Sequence, residues 1–235
     1  MKKIALFALT MVMVLTAVCP AFAAGKLEVT QEKFYSLEPY DDSFYTYIYA
    51  EVTNSGDKAV EFNNGLWEVY DANGDTLDSE DWMYCYPDVL EPGETGYVSA
   101  YMSLDDVDST DAAADYLLTV SGKSAKENPN VILPATVAYE YVKGDYRDYH
   151  TLIATVTNDT AETAYNFRVV FAVKDAEGNL LYVDDVQPSY VGILPGTSVE
   201  VKCDLSYENV VEELLEQGIL NFDKVEVIAY VDTDY

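Results

Sequence analysis

The chain repeats itself at a fixed spacing of 104 residues. Tyr45–Leu90 aligns with Tyr149–Leu194 without a gap, and 13 of the 46 aligned positions are identical. Each copy carries the triplet Val-Thr-Asn, at 52–54 and at 156–158, and each is followed by a Pro-Gly pair. An offset held over this distance indicates a duplicated folding unit, which constrains the architecture more than any local propensity does.

The repeat predicts two tandem domains. Between the copies, Ser121–Asn130 is small and polar, which is typical of a linker. We therefore predict a first domain at 24–122, a linker at 123–130 and a second domain at 131–235.

Within each copy, apolar residues alternate with other residues, which is the period of a half-buried strand. Asn73-Gly74 marks a hairpin turn between two such strands. Short strands with regularly spaced turns predict an all-β fold, two tandem immunoglobulin-like β-sandwich domains, each with a short helix before its last strand. In the second copy, Asn209 is the expected N-cap of that helix. The inward residues of one strand match across the copies: Ile48, Ala50 and Val52 with Leu152, Ala154 and Val156.

Trp67–Asp71 and Phe171–Asp175 resemble the strand end for which the FxLYD domain is named. That domain is a bacterial extracellular immunoglobulin-like module with a Val-x-Asn element upstream and a Pro-Gly turn downstream, as in both copies here. The chain departs from the named motif where Trp67 replaces Phe, Val replaces Leu in both copies, and Lys174 replaces Tyr. The resemblance implies the fold and carries no known activity or site residues.

The N-terminus has the features of a secretory signal peptide. Two lysines precede an apolar run from Ile4 to Val18, and small residues precede the expected cleavage point after Ala23. The run is too short for a permanent membrane span. Val18 before Cys19 disfavours a lipoprotein signal. We expect residues 1–23 to be removed and the protein to be secreted or loosely associated with the cell surface.

Acidic residues outnumber basic ones by 42 to 13. This balance excludes a generic nucleic-acid binder and disfavours attachment to anionic lipid. Two cysteines, Cys85 and Cys203, survive cleavage, and their matched positions in the other copy are not cysteines. We therefore predict that they are not joined, and that Cys203 is a buried thiol on an inward strand face.

No catalytic motif is found in the sequence. His150 is the only histidine, and Thr46 stands at its place in the first copy. Acid pairs such as Asp105-Asp106 and Asp184-Asp185 are expected by chance in so acidic a chain, although they leave a two-carboxylate glycosidase formally open. We predict no catalytic residue, no cofactor and no enzyme activity.

Two acidic segments invite a cation hypothesis. Asp71, Asn73 and Asp75 have the spacing that opens a calcium loop, but the later ligands of that loop are missing, and a β-turn accounts for both copies. The run from Asp105 to Asp115 is denser, yet such runs are more often solvated loops or helix starts. We predict no metal ligand, and keep a cation-dependent structural protein as an alternative.

Aromatic residues give the remaining candidate site. Tyr45, Tyr47 and Tyr49 alternate with inward residues and should share the outer face of a sheet, with Phe34 and Tyr35 nearby. The functional interpretation is a contact surface for a protein or glycan. The structural interpretation is cross-strand packing without any ligand.

These observations favour a secreted non-catalytic interaction or adhesion-type protein whose partner is an unidentified protein or glycan. The alternative is a carbohydrate- or cell-wall-polymer-binding module that uses the same aromatic face. We expect no nucleic-acid partner and no stable membrane insertion after signal cleavage.

Overall fold

The computed structural model describes residues 25–40, 43–206 and 208–232. The predicted signal peptide at 1–23 lies outside the described residues. Within them the chain is nearly all β, with one α-helix and several antiparallel sheets, so the predicted all-β fold is confirmed. We refer to residues 25–124 as the first half and residues 130–232 as the second half.

The first half contains eight strands. They are β1 Leu27–Tyr40, β2 Ser43–Asn54, β3 Val60–Tyr70, β4 Thr76–Glu80, β5 Cys85–Tyr86, β6 Val89–Leu90, β7 Thr95–Leu104 and β8 Asp115–Ser124.

The second half contains nine strands and the α-helix. They are β9 Asn130–Leu133, β10 Ala135–Val142, β11 Tyr149–Thr157, β12 Ala164–Tyr165, β13 Phe167–Lys174, β14 Leu180–Val186, β15 Gly192–Ile193, β16 Ser198–Asp204, α1 Asn209–Glu216 and β17 Lys224–Asp232.

Each half stacks two main antiparallel sheets, and the second half has an additional two-stranded sheet of β12 and β15. In the first half, a front sheet in the order β1-β2-β7-β5 faces a back sheet built on β3, which pairs with β4, β6 and β8. In the second half, the front sheet is β10-β11-β16 and the back sheet is β14-β13-β17-β9. The β2–β7 ladder pairs Val52 with Gly96, and the β11–β16 ladder pairs Val156 with Val199, so the repeated residues occupy equivalent ladder positions.

The asparagine of the repeated triplet has the same role in both halves. Asn54 is fully buried, and its side-chain nitrogen donates to the carbonyls of Lys58 and Leu90. Asn158 is equally buried and donates to the carbonyls of Glu162 and Ile193. A buried amide must have hydrogen-bond partners, so this residue ties a strand end to the loop that follows it and to the short strand beyond.

The two back sheets differ in how their central strand is buried. Along β3, buried and accessible residues largely alternate, as expected when one face of a strand meets solvent. Along β13, every residue except Arg168 is buried, so both faces are covered. The cause is that β14 and its neighbours pack on the outer face of the first half's front sheet.

Buried residues form two hydrophobic clusters. One lies between the sheets of the first half and includes Ile48 and Trp67. The other joins the core of the second half to Tyr35, Tyr49 and Tyr97 of the first half. Because this second cluster spans both halves, the division into two tandem domains stays a prediction from the repeat.

The predicted helices and linker differ in detail from the structure. In the first half, the helix before the last strand is only a 3-10 turn at Thr110–Ala112. In the second half, α1 begins at Asn209, and Glu208 is the N-cap rather than Asn209. The Asn209 side chain instead donates to the carbonyl of Pro39, which ties the helix to β1. Strand β8 extends through Ser124, so the segment between strands is 125–129, shorter than the predicted linker at 123–130.

Candidate functional site

The predicted tyrosine face is divided into two parts. The outward direction of Tyr45, Tyr47 and Tyr49 follows from the alternation along β2, where the intervening residues are buried in the first-half core. Tyr49 itself, however, is only 3% exposed. Tyr45 and Tyr47 are half-buried. The face is therefore covered at one end and accessible at the other.

Phe34 does not belong to this face. It pairs with Ile48 on the neighbouring strand, and both side chains point inward. The Phe34 ring stacks on Tyr116 at a centroid distance of 4.6 Å and meets the edge of Trp67 at 6.3 Å. The placement of Phe34 in the contact surface was wrong, because it lies one residue out of phase with Tyr35 along β1.

The covered end of the face forms the joint between the halves. The Tyr49 ring lies 5.0 Å from the ring of Tyr182 and 6.2 Å from that of Tyr35. The Tyr35 hydroxyl donates to the carbonyl of Leu181 at 2.9 Å. The backbone N–H of Leu180 also donates to the side-chain oxygen of Gln31 at 2.7 Å, which adds a further link. Tyr35 and Tyr49 thus contact the second half and are not available to an external partner in this arrangement.

A partly buried ion-pair group lies at the same joint. Lys174 Nζ lies 2.6 Å from Glu51 Oε2 and 2.8 Å from Glu226 Oε2, and the Tyr97 hydroxyl donates to Glu226. Burial opposes the charge of Lys174, but the two carboxylates outweigh it and raise the Lys174 pKa. Burial likewise opposes the charge of Glu226, but hydrogen bonds from two lysines and Tyr97 lower its pKa to about 2. Lys174 and Glu226 are therefore both charged at neutral pH.

Asp184, which forms no ion pair within the described residues, lies on the opposite side of the tyrosine contact. Asp184 accepts hydrogen bonds from the Cys203 thiol and the Tyr182 hydroxyl. Burial is the main cause that raises the Asp184 pKa. Burial first and the charge of Asp184 second raise the pKa of Glu208 as well. At this end of the joint, burial therefore favours the protonated form of Asp184 over its charged form.

A cleft opens where the two halves meet, beside the joint. Its volume is about 530 Å³, within the range of small-molecule sites. Four aromatic residues of the first half line it: Phe62, Trp82, Tyr84 and Tyr86. Trp82 is 73% exposed and Tyr84 is 53% exposed. We call this cavity the junction cleft.

The aromatic wall of the junction cleft is held in place by its own contacts. The rings of Tyr84 and Tyr86 are nearly parallel, with centroids 6.0 Å apart. The Arg168 guanidinium of the second half lies 3.9 Å from the Tyr86 ring centroid. The Trp82 indole N–H donates to the Tyr84 hydroxyl. Stacking and hydrogen bonding therefore orient rings that would otherwise be mobile on the surface.

Polar side chains from both halves line the rest of the junction cleft. They are Asn63, Asn64, Asp81, Asp88, Asn166, Arg168 and Gln187. Arg168 is already paired with Asp185 and donates to Gln187. Within the described part of the chain, the Asn63 and Asn166 carboxamides make no side-chain hydrogen bond, and both residues are exposed. Asn166 has a positive φ of 53°, a conformation that Asn tolerates better than most residues.

Two features that locate these sites were overlooked in the sequence. Phe167–Val173 is an almost continuous apolar run, which is typical of a strand covered on both faces. The cleft aromatics stand in a segment whose second-half counterpart reads Val186, Gln187 and Pro188. The difference between the copies was visible, but pairing it with Arg168 and Asn166 required the three-dimensional contact.

The histidine, the turn aspartate and the two cysteines are accounted for by contacts within the fold. The His150 ring is stacked near Tyr139 and Phe222, and its Nδ1 lies 2.7 Å from the Tyr139 hydroxyl. The Asp71 carboxylate accepts the backbone N–H groups of Asn73 and Asp75, which makes it a turn residue. Across the described ranges, no three His, Cys, Asp or Glu side chains gather in a metal-binding group. Cys85 and Cys203 are buried and free.

Comparison with known proteins adds little. No family model and no curated protein matches this chain. Among solved structures, red sea bream transglutaminase is similar with a TM-score of 0.21 at 11% identity, over 80% of this chain and 27% of that one. A likeness at this level carries no argument about activity. The resemblance to FxLYD domains therefore stays a prediction. Separately, among the described residues no helix is long and apolar enough to cross a membrane.

Proposed function

We propose that this protein is an exported, non-catalytic binding protein built from two immunoglobulin-like domains that are held in a fixed relation, with the junction cleft as its ligand site. The observation that carries the proposal is the oriented aromatic wall, formed by Trp82, Tyr84 and Tyr86 and completed by Arg168 from the other half. Large exposed aromatic side chains beside unpaired polar groups are the usual composition of a recognition site.

The tyrosine face supports this proposal in a different way from the one expected. Its buried part fixes the halves relative to each other, and that relation in turn creates the cleft. The accessible remainder, where the Tyr45, Tyr47 and Tyr101 rings lie 6.2–6.4 Å apart, is a ladder of cross-strand contacts. Contacts of this kind stabilise a sheet without a ligand, so we place the site in the cleft rather than on the ladder.

Retention on surface material of the producing cells tests the site. The full mature protein is compared with Trp82→Ala and with Tyr190→Ala, which removes an even more exposed aromatic residue outside the cleft. We expect Trp82→Ala to lose retention while its melting temperature is unchanged, and Tyr190→Ala to behave as the parent. Equal retention of both variants would place the binding surface elsewhere.

The proposal that the protein is exported rests on the signal-peptide features of residues 1–23. N-terminal sequencing of protein recovered from the medium should begin at Ala24, as cleavage after Ala23 requires. Recovery of the intact N-terminus from the cell interior alone would contradict export.

A further inference from the structure

We infer that the ligand of the junction cleft is an uncharged saccharide chain. This inference rests on the proposed function, because it names the class of molecule that the same site takes. The argument uses the aromatic faces, the unpaired carboxamides and the balance of charge in the cleft.

The aromatic wall offers flat apolar surface in a fixed orientation. Trp82 is 73% exposed, although its indole N–H is already bonded to Tyr84. The polar atom of the indole is thus satisfied within the protein, while the ring faces stay accessible. A pyranose ring presents a patch of C–H groups of similar size, and burying it against an indole removes apolar area from water on both sides.

The carboxamides supply the complementary polar contacts. Each of Asn63 and Asn166 carries two donors and one acceptor oxygen, and neither is engaged within the described residues. A sugar hydroxyl also donates and accepts, so neighbouring hydroxyls can bond to one carboxamide through both of its atoms. Asp81 and Asp88 line the same cleft and add carboxylate acceptors for hydroxyl donors.

The charges in the cleft disfavour an anionic ligand. Among the described residues that line the cleft, Arg168 is the one basic residue, and Asp185 already pairs with that guanidinium. The Arg168 side chain also lies over the Tyr86 ring, which fixes it as part of the wall. Two lining aspartates and a chain with 42 acidic residues then repel phosphate, sulfate and uronate groups.

The polar groups also favour a saccharide over a peptide. Peptides are commonly bound through their backbone, as an added strand on an exposed sheet edge. The cleft is lined by one two-residue edge strand, β5 at Cys85–Tyr86, and the rest of its polar lining consists of side-chain amides and carboxylates beside ring faces. Such groups recognise hydroxyls on a ring better than they recognise a repeating backbone.

Tryptophan fluorescence of the full mature protein provides a direct test. The chain has two tryptophans, of which Trp67 is fully buried and Trp82 lies in the cleft, so ligand-dependent shielding from acrylamide reports on Trp82. The probes are neutral gluco- and N-acetylglucosamine oligomers, a sulfated oligomer and an uncharged tetrapeptide. We expect shielding by at least one neutral oligomer and by neither of the other two probes.

Calorimetry with variants completes the test. For the neutral oligomer that binds, Asn166→Ala should weaken the affinity by about five- to tenfold, the effect of one or two neutral hydrogen bonds. Trp82→Ala should abolish binding, and Tyr190→Ala should leave it unchanged. Shielding by the tetrapeptide or the sulfated oligomer alone would overturn the saccharide inference and leave the cleft as the site. Absence of shielding by every neutral oligomer would also overturn the inference, and the retention experiment would still decide whether the cleft binds.

Discussion

The outer faces of the two front sheets occupy the same place in the repeat, yet only one of them is covered. On the first half, the covered face presents Tyr35, Tyr49 and Tyr97, which are all buried. At the equivalent ladder positions the second half has Glu140, Ile153 and Glu200, and the two glutamates are exposed. The two copies therefore share a scaffold, while one outer face carries the residues of a core and the other carries those of a surface.

The back sheets show the complementary change. Lys174 and Tyr182 on the covering sheet of the second half correspond to Tyr70 and Asp78 in the first. The departure of Lys174 from the FxLYD-like motif thus coincides with its ion pair to Glu51 across the joint. A substitution that weakens the resemblance to the motif is explained by packing between the halves.

Truncation of equivalent outer-face residues should have unequal effects. Tyr49→Ala removes a ring from the buried joint and should lower the unfolding free energy by about 3 to 5 kcal/mol, as is usual for large-to-alanine changes in cores. Ile153→Ala, at the matched position on the open face, should cost about 1 kcal/mol. Urea denaturation of the full mature protein measures both, and similar losses would mean that the two faces are equally covered.

Loss of the joint lysine should have the next largest effect. Lys174→Met leaves the Glu51 carboxylate, whose side chain is 13% exposed, without its partner, and should cost about 3 kcal/mol. The exposed Lys224, which also pairs with Glu226, is the control, and Lys224→Met should cost less than about 1 kcal/mol. If Glu51→Gln added to Lys174→Met recovers no stability, the carboxylate was not the source of the cost.

Acidic pH should affect the two ends of the joint in opposite directions. The lowered pKa of Glu226 means that its stabilisation is present above its ordinary pKa of 4.5 and is lost as pH falls towards 2. The raised pKa of Asp184 means that the folded state holds the proton more tightly, so stability declines as pH rises from the ordinary value of 3.8 through the folded pKa.

The variant Asp184→Asn separates these contributions. Asp184→Asn cannot ionise and keeps an acceptor oxygen for Tyr182 and Cys203. It should therefore raise the melting temperature at pH 7, by less than Tyr49→Ala or Lys174→Met lowers it. The gain should shrink as pH approaches 4. Melting temperatures across that range check the prediction, and a variant less stable than the parent at neutral pH would show that the carboxylate is stabilising there.

Much of the fold could be predicted from sequence because its signals are local. The alternation along β2 places Ile48 and Val52 inside and Tyr47 outside, and the duplicated asparagine recurs in one hydrogen-bond arrangement. A one-residue phase error was enough to misplace Phe34. A tyrosine on an outer face is compatible with solvent, a partner or another part of the same chain, and only the second half's position decides between them.

The junction cleft was beyond sequence reasoning for the same reason. Trp82 and Tyr84 are close in sequence, but Asn166 and Arg168 come from the other half, more than 80 residues away. No periodicity links them, because the relation between the halves is set by the Tyr49–Tyr182 contact and by Lys174. The site arises from the packing of the two copies, and neither copy contains a motif that predicts it.

A double-mutant cycle between Tyr49 and Tyr182 tests most directly whether the tyrosine face joins the halves. The unfolding free energies of the parent, Tyr49→Leu, Tyr182→Leu and the double variant are measured by urea denaturation. Contact between the rings predicts that the double variant loses less than the sum of the single losses, by about 1 kcal/mol. Additivity to within about 0.3 kcal/mol would mean that the rings do not meet, and the joint and the cleft beside it would both be wrong.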